Sequence, residues 1–321
     1  MMIVNILKKE IPIARISRAM NIPRSTIHYN RMERSGNRKQ RVPESVEREI
    51  NKLSGERTTY GYRRIWALMR NSGIHVNIKT VRKIMKRKNL SLPYARHKNR
   101  TGKKDLTKPV NINMLWETYI HYVSTIHDRI AYLMSIKDCF SKKWISYEFS
   151  RTCTAKDCIK SVEKAYAIRF HNGNPGNIET VLRTDNGPQY LSEIFKNTVK
   201  HLGIRSEYIQ KHTPEDNGDI ESFHNSLKTD YIWVTDLETF EDAKNLIEYA
   251  FTDYNTIRPH SSISFLPPDE FERRWNESED FRNQFLESKK RKEERILKNR
   301  NEKKRRLKEN VSFEAEKSVQ N

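Results

Sequence analysis

Three β-prone runs follow one another closely, at Leu115 to Val123, Ile130 to Ile136 and Trp144 to Phe149, with only short polar stretches between them. A helical segment comes next, Ala155 to Phe170, with Ile159, Val162, Ala165 and Tyr166 on one side, and then a short strand expected to be buried, Thr180 to Thr184. Strands joined too tightly for crossovers must pair antiparallel, whereas a strand reached through a helix can lie parallel. The stretch therefore predicts a mixed α/β sheet carrying helices.

The first hundred residues read differently. Apolar residues recur at helical spacing in Ile13 to Met20, Pro23 interrupts the run, and Arg24 to Tyr29 starts another helix, which predicts a helix-turn-helix over residues 1–40. Arg24, Ser25, Thr26 and His28 would lie on the outer face of its second helix, where phosphates and base edges are met. A second helical unit is expected over 41–90, built from Val46, Ile50 and Leu53, then Tyr60-Gly61-Tyr62-Arg63-Arg64-Ile65, then Ile78 to Met85. Its outward Arg63, Arg64, Lys79, Arg82 and Lys83 are further candidates for DNA contact. Residues 91–113, with Pro93, Gly102, Pro109 and six basic residues, read as a linker.

Charge supports this division. Residues 1–108 carry 28 Lys and Arg against 7 Asp and Glu, residues 289–308 carry 12 against 3, and the remainder is net acidic within a chain of +20. A uniformly basic coat protein is thereby disfavoured, and a polyanion held at both ends of an acidic middle is favoured. Cys139, Cys153 and Cys158 have neither disulfide-framework nor zinc spacing. No long apolar run or leader pattern is present, so the expected location is the cytoplasm, on chromosomal DNA, with no membrane partner.

Two carboxylates carry the chemistry. Asp185 stands immediately after the Thr180 to Thr184 strand, in Arg183-Thr184-Asp185-Asn186-Gly187-Pro188-Gln189-Tyr190, and strand ends project into the crevices where α/β sheets hold ligands. Glu221 lies 35 intervening residues later on a helix whose Ile220, Phe223 and Leu227 face inward, with Glu221, Asn225 and Lys228 along another side.

These words, with Tyr60 to Arg64, Asp138-Cys139-Phe140-Ser141, Pro214 to Lys228 and Tyr254-Asn255-Thr256-Ile257-Arg258-Pro259-His260, resemble the retroviral-integrase-like transposases of bacterial and archaeal insertion sequences. The resemblance spans residues 1–275 and implies an RNase H-like core at 114–275, followed by a charged helical tail at 276–321. It implies Mg²⁺-dependent 3′-end cleavage and strand transfer by an Asp, Asp, Glu triad that holds two Mg²⁺ or Mn²⁺ ions. Asp185 and Glu221 match the second and third metal ligands, and Lys228 a basic residue that holds DNA near the cut. The implied partners are double-stranded DNA, as terminal inverted repeats and as target, and further copies of the chain assembled on it.

One position departs from the pattern. The family's first Asp follows a Trp by two or three residues, but in Leu115-Trp116-Glu117-Thr118-Tyr119-Ile120-His121 that place holds Tyr119. A phenol titrating near pH 10 is neutral at pH 7 and a poor Mg²⁺ ligand. Glu117 shares the strand face but lies about 7 Å along the chain, His121 offers an imidazole ill-suited to Mg²⁺, and Asp138 resembles a structural residue. Two readings follow: a transposase impaired at Tyr119, or a remnant that only binds DNA.

Overall fold

The computed structural model describes residues 11–21, 42–92, 106–171, 179–209 and 218–319, the last turns of the terminal helix as backbone only. Two compact units divide the chain, Met1–Lys52 and Leu53–Asn321. In the first, α1 (Ile13–Met20) ends on Asn21 in the left-handed region at φ 51°, which Asn tolerates because its short polar side chain bonds locally. Arg24, Ser25, Thr26 and His28 lie outside the described residues.

The helix α2 (Glu44–Glu56) crosses the division, and α3 (Tyr62–Asn71) and α4 (Ile78–Arg87) belong to the second unit. Ile65, Leu68 and Met69 of α3 are buried, as are Val81, Ile84 and Met85 of α4. These are the positions that the three- and four-residue spacing marks. Arg63, Lys79, Arg82 and Lys83 are exposed, whereas Arg64 turns inward.

Five strands form one sheet in the order β3-β2-β1-β4-β5: β1 (Leu115–Thr125), β2 (Arg129–Asp138), β3 (Trp144–Ser150), β4 (Val181–Thr184) and β5 (Arg205–Tyr208). The first three are antiparallel, and β4 joins β1 in parallel after the crossover through α5 (Ala155–Phe170). Thr154 and Asp157 close a capping box that fixes where α5 begins. After β4 come α6 (Pro188–Leu191) and α7 (Glu193–His201), and beyond β5 follow α8 (Gly218–Leu227) and α9 (Phe240–Thr256).

Alternation along β1 supplies both layers. Trp116 and Ile120 point into a core with Ile159, Val162 and Val199 of α5 and α7, while Tyr119 and Val123 point into one with Ile220, Phe223 and Leu227 of α8 and Ile247 of α9. The sheet is thus covered on both faces, as an RNase H-like core is. A third cluster, Ile112, Phe140, Phe271, Trp275 and Phe285, closes one end with α10 (Pro268–Glu277) and the start of α11 (Glu279–Val319).

Candidate active site

Parallel pairing of β1 with β4 aligns Leu115 with Val181 and Glu117 with Arg183. Two residues further along that register, Tyr119 is level with Asp185, which follows the last residue of β4. The Asp185 carboxylate accepts the Gly187 N–H at 2.8 Å, closing a tight turn. A Cβ on Gly187 would stand 2.9 Å from Asp185 Oδ1, so any other residue there must push the Asp185 carboxylate aside. Asn186 donates to the Ile209 carbonyl at 2.8 Å and anchors the same turn to the end of β5. Pro188 opens α6, and Tyr190 beneath it shares a buried 3.2 Å hydrogen bond with Thr118 of β1.

Helix α8 lies over β1. The His224 ring is 4.6 Å from that of Tyr119 and 5.4 Å from that of His121, centroid to centroid, and Glu221 is one turn away on the same helix. Burial, and then the charges of Asp185 and Glu221, push the Tyr119 phenol above its ordinary value. Both carboxylates therefore bear on one side chain, that of Tyr119, and hold it protonated.

The two imidazoles stay neutral. Burial and then Lys228 bring His121 down to about 4, and burial, His121, Lys137 and Lys228 pull His224 well below the usual range. Lys228 thus also faces this cluster. It does so from a π-helical turn, Lys228–Ile232, and not from the end of a continuous α-helix as the sequence period suggested.

The other acidic residues near β1 are engaged elsewhere. Glu117 is buried and pairs with Arg183 at 2.9 Å. Asp138 accepts from the backbone of Asn113 at 2.6 Å and of Phe140 and Ser141 at 2.8 Å, holding the turn between β2 and β3. Among the described residues no three His, Cys, Asp or Glu side chains are grouped to hold a metal ion. Two carboxylates, Asp185 and Glu221, that share only the influence on a protonated phenol do not fit a site for paired, oxygen-seeking cations.

Sequence reasoning missed the buried ion pairs around this site. Asp253 accepts from both terminal nitrogens of Arg57, one at 2.8 Å, and from Tyr231 Oη at 2.7 Å. Asp230 accepts from Thr59 at 2.8 Å, from Arg64 at 3.3 Å and from Arg258 at 2.9 Å. Lys137, the penultimate residue of β2, is 2 % exposed.

Comparison with known proteins agrees with this architecture. An HTH-like domain matches residues 44–98, and integrase core domain models match 111–214 and 202–268. The transposase for insertion sequence element IS904 of Lactococcus lactis is 30% identical over 253 residues, which are 72% of this chain and 96% of that protein. The chain belongs to the insertion-sequence transposases with an integrase core. The putative transposase InsK for insertion sequence element IS150 of Escherichia coli K12 is 26% identical over 84% of the present transposase and 97% of its own length. Among solved structures, the catalytic core domain of BIV integrase aligns with 56% of the transposase and 98% of its own chain, at 21% identity and a TM-score of 0.37. Residues beyond 268, including all of α11, fall outside the matched domains.

Proposed function

We propose that Asp185, Glu221 and Lys228 form the DNA-processing centre of this transposase, and that Tyr119 leaves that centre able to hold DNA but impaired in cutting it. The observation that carries the reading is the position of Tyr119, level with Asp185, packed on His224 one helical turn from Glu221, and under the influence of both carboxylates. The family's first carboxylate belongs at that spot. A neutral phenol there supplies neither the charge nor the carboxylate oxygens that Asp185 and Glu221 would need beside them to hold divalent Mg²⁺ or Mn²⁺.

Duplex DNA, as element ends and as target, is the substrate class. Residues 1–40 and 41–90 act as DNA-holding parts, with exposed Arg63, Lys79, Arg82 and Lys83 meeting phosphates, 91–113 as a linker and 114–275 as the catalytic core. The assembly on DNA uses more than one copy. Tyr119 also favours a second reading, a remnant that occupies element ends and reacts with none of them.

The test is end processing by the full chain on duplexes carrying the element's termini, with Mg²⁺ or Mn²⁺. The unmodified transposase is expected to bind them with little 3′-end cleavage, and Tyr119→Asp to restore cleavage and strand transfer. Robust strand transfer by the unmodified chain, abolished by Asp185→Ala, would overturn the impairment. A Tyr119→Asp protein that folds and binds DNA but gains nothing would favour the remnant.

A further inference from the structure

A cavity of roughly 150 Å³ opens beside the first turns of α8, on a different side of that helix from Glu221. Arg64, Lys137, Lys142 and Arg258 line it with Ser222, Ser226 and one carboxylate, that of Asp219. Two of the sequence words that the active site does not use meet here, since Arg64 comes from Tyr60 to Arg64 and Arg258 from Tyr254 to His260. We infer that this cavity is a subsite for one backbone phosphate of the DNA strand that crosses α8.

The charge balance is the first ground. Lys142 bonds Asp219 Oδ2 at 2.8 Å, while Arg64 and Arg258 share the single carboxylate of Asp230. Lys137 donates to a backbone oxygen, that of Asp219, at 3.0 Å. Four cations therefore meet three carboxylates at this spot, since Lys137 and Lys142 also bear on the buried Glu117, itself paired with Arg183; two of the cations, Lys137 and Arg258, are only 2 % and 3 % exposed. The four converge. All of them bear on the buried ring of His260, which burial and then these charges keep neutral, and burial and then Arg258 depress Arg64. Buried like charges crowded in this way are relieved by an anion. The space exceeds the roughly 10–15 Å³ that one water needs, and so admits a tetrahedral group.

Helix geometry supplies the second ground. At about 100° per residue, Ser222 and Ser226 lie roughly 100° and 140° around α8 from Glu221, while Phe223 and Leu227 occupy the buried side. A strand leaving Glu221 across the exposed face of α8 meets the two serine hydroxyls next and then the cavity. Charge-assisted bonds from Arg and Lys to a phosphodiester oxygen, with serine hydroxyls at the rim, are the contacts such a group takes. The inference rests on reading α8 as the helix that meets the DNA end.

The experiment measures duplex binding by the full chain across salt for Lys142→Ala, Ser226→Glu and the control Thr252→Glu, which is exposed on α9 and outside the cavity. Both cavity variants are expected to bind about tenfold more weakly, and the plot of log affinity against log salt to flatten by about 0.9 for one lost phosphate contact. The control should change neither. In a scan of single methylphosphonates, one position should weaken the unmodified transposase and be silent in Ser226→Glu. Wild-type affinity and slope in both variants, with unchanged melting temperatures, would overturn the inference. Inorganic phosphate that binds this cavity equally well in the presence of saturating DNA would assign it to a free anion and overturn it too. Ser226→Glu keeps the test open if Lys142→Ala misfolds. Failure of the catalytic reading would appear in cleavage by the Tyr119→Asp protein and leave these binding measurements standing.

Discussion

His224 is buried with no hydrogen-bond partner among the described residues at either ring nitrogen, and His121 beside it is nearly as enclosed. Both are held below the ordinary histidine value of about 6.5, His121 to about 4. Between those two values the unfolded chain binds more protons than the folded one, so stability rises with pH. The contribution is complete above about pH 6.5 and is lost as pH falls toward 4, worth about 3 kcal/mol from His121 alone. His224→Phe should therefore narrow the gap in urea midpoint between pH 7.5 and pH 5. An unchanged gap would show that other groups set the acid limit. Gly187→Ala tests the neighbouring turn: the new methyl must displace the Asp185 carboxylate, so the Tyr119→Asp protein carrying it should lose its restored cleavage while its melting temperature falls only slightly. Tyr119→Asp itself puts a third carboxylate beside two others. Its melting temperature should drop in chelator and recover with Mg²⁺, whereas that of the unmodified chain should respond little.

At the scale of elements, the strands and the faces of α5 and α8 were legible in the sequence because burial imposes a period on apolar residues, two along β1 and near 3.6 along α8. Asp185 directly follows the strand that the sequence marks, although the last two residues of β4, Arg183 and Thr184, are polar and carry no apolar signal. Other features left no periodic trace. The π-helical turn at Lys228 continues a polar pattern that an α-helix would equally well carry. Arg57 and Asp253 stand 196 residues apart in the chain, and Arg64 and Asp230 stand 166 apart, so a sequence reading has only two ordinary surface charges to see at each. These pairs tie the helical segment at 53–71 to the core. Removing one partner leaves a buried charge uncompensated, which costs on the order of 3–5 kcal/mol. Arg57→Ala should lower stability by about that amount, and Arg57→Ala with Asp253→Asn by less than the sum of the two single changes. Strict additivity in that cycle would show the contact to be energetically idle.

The whole molecule combines an acidic core with basic extremities, and α11 is the least supported of its parts. Phe281 and Phe285 join the cluster around Phe271 and Trp275, but Leu286, Ile296 and Leu297 are exposed, and the helix continues to Val319. Apolar residues recur there at Phe285, Ile296 and Leu307, a spacing of eleven that leaves one or two per repeat, too sparse a stripe for a coiled coil. Charge is what the segment has in quantity, with 12 basic against 3 acidic residues over 289–308. About 30 Å of helix carries them, a length that matches roughly one turn of duplex. We therefore expect a chain ending at Ser288 to keep its fold, because the aromatic anchors remain, and to bind duplex DNA less tightly at low salt. Its dependence of log affinity on log salt should flatten by several units, at about 0.9 for each phosphate no longer neutralised. Preference among sequences should not change, since phosphate contacts carry none. A truncated chain with the full salt slope and an unchanged melting temperature would show that α11 stands clear of the DNA, and a shift from dimer to monomer with the slope intact would make it an assembly element instead.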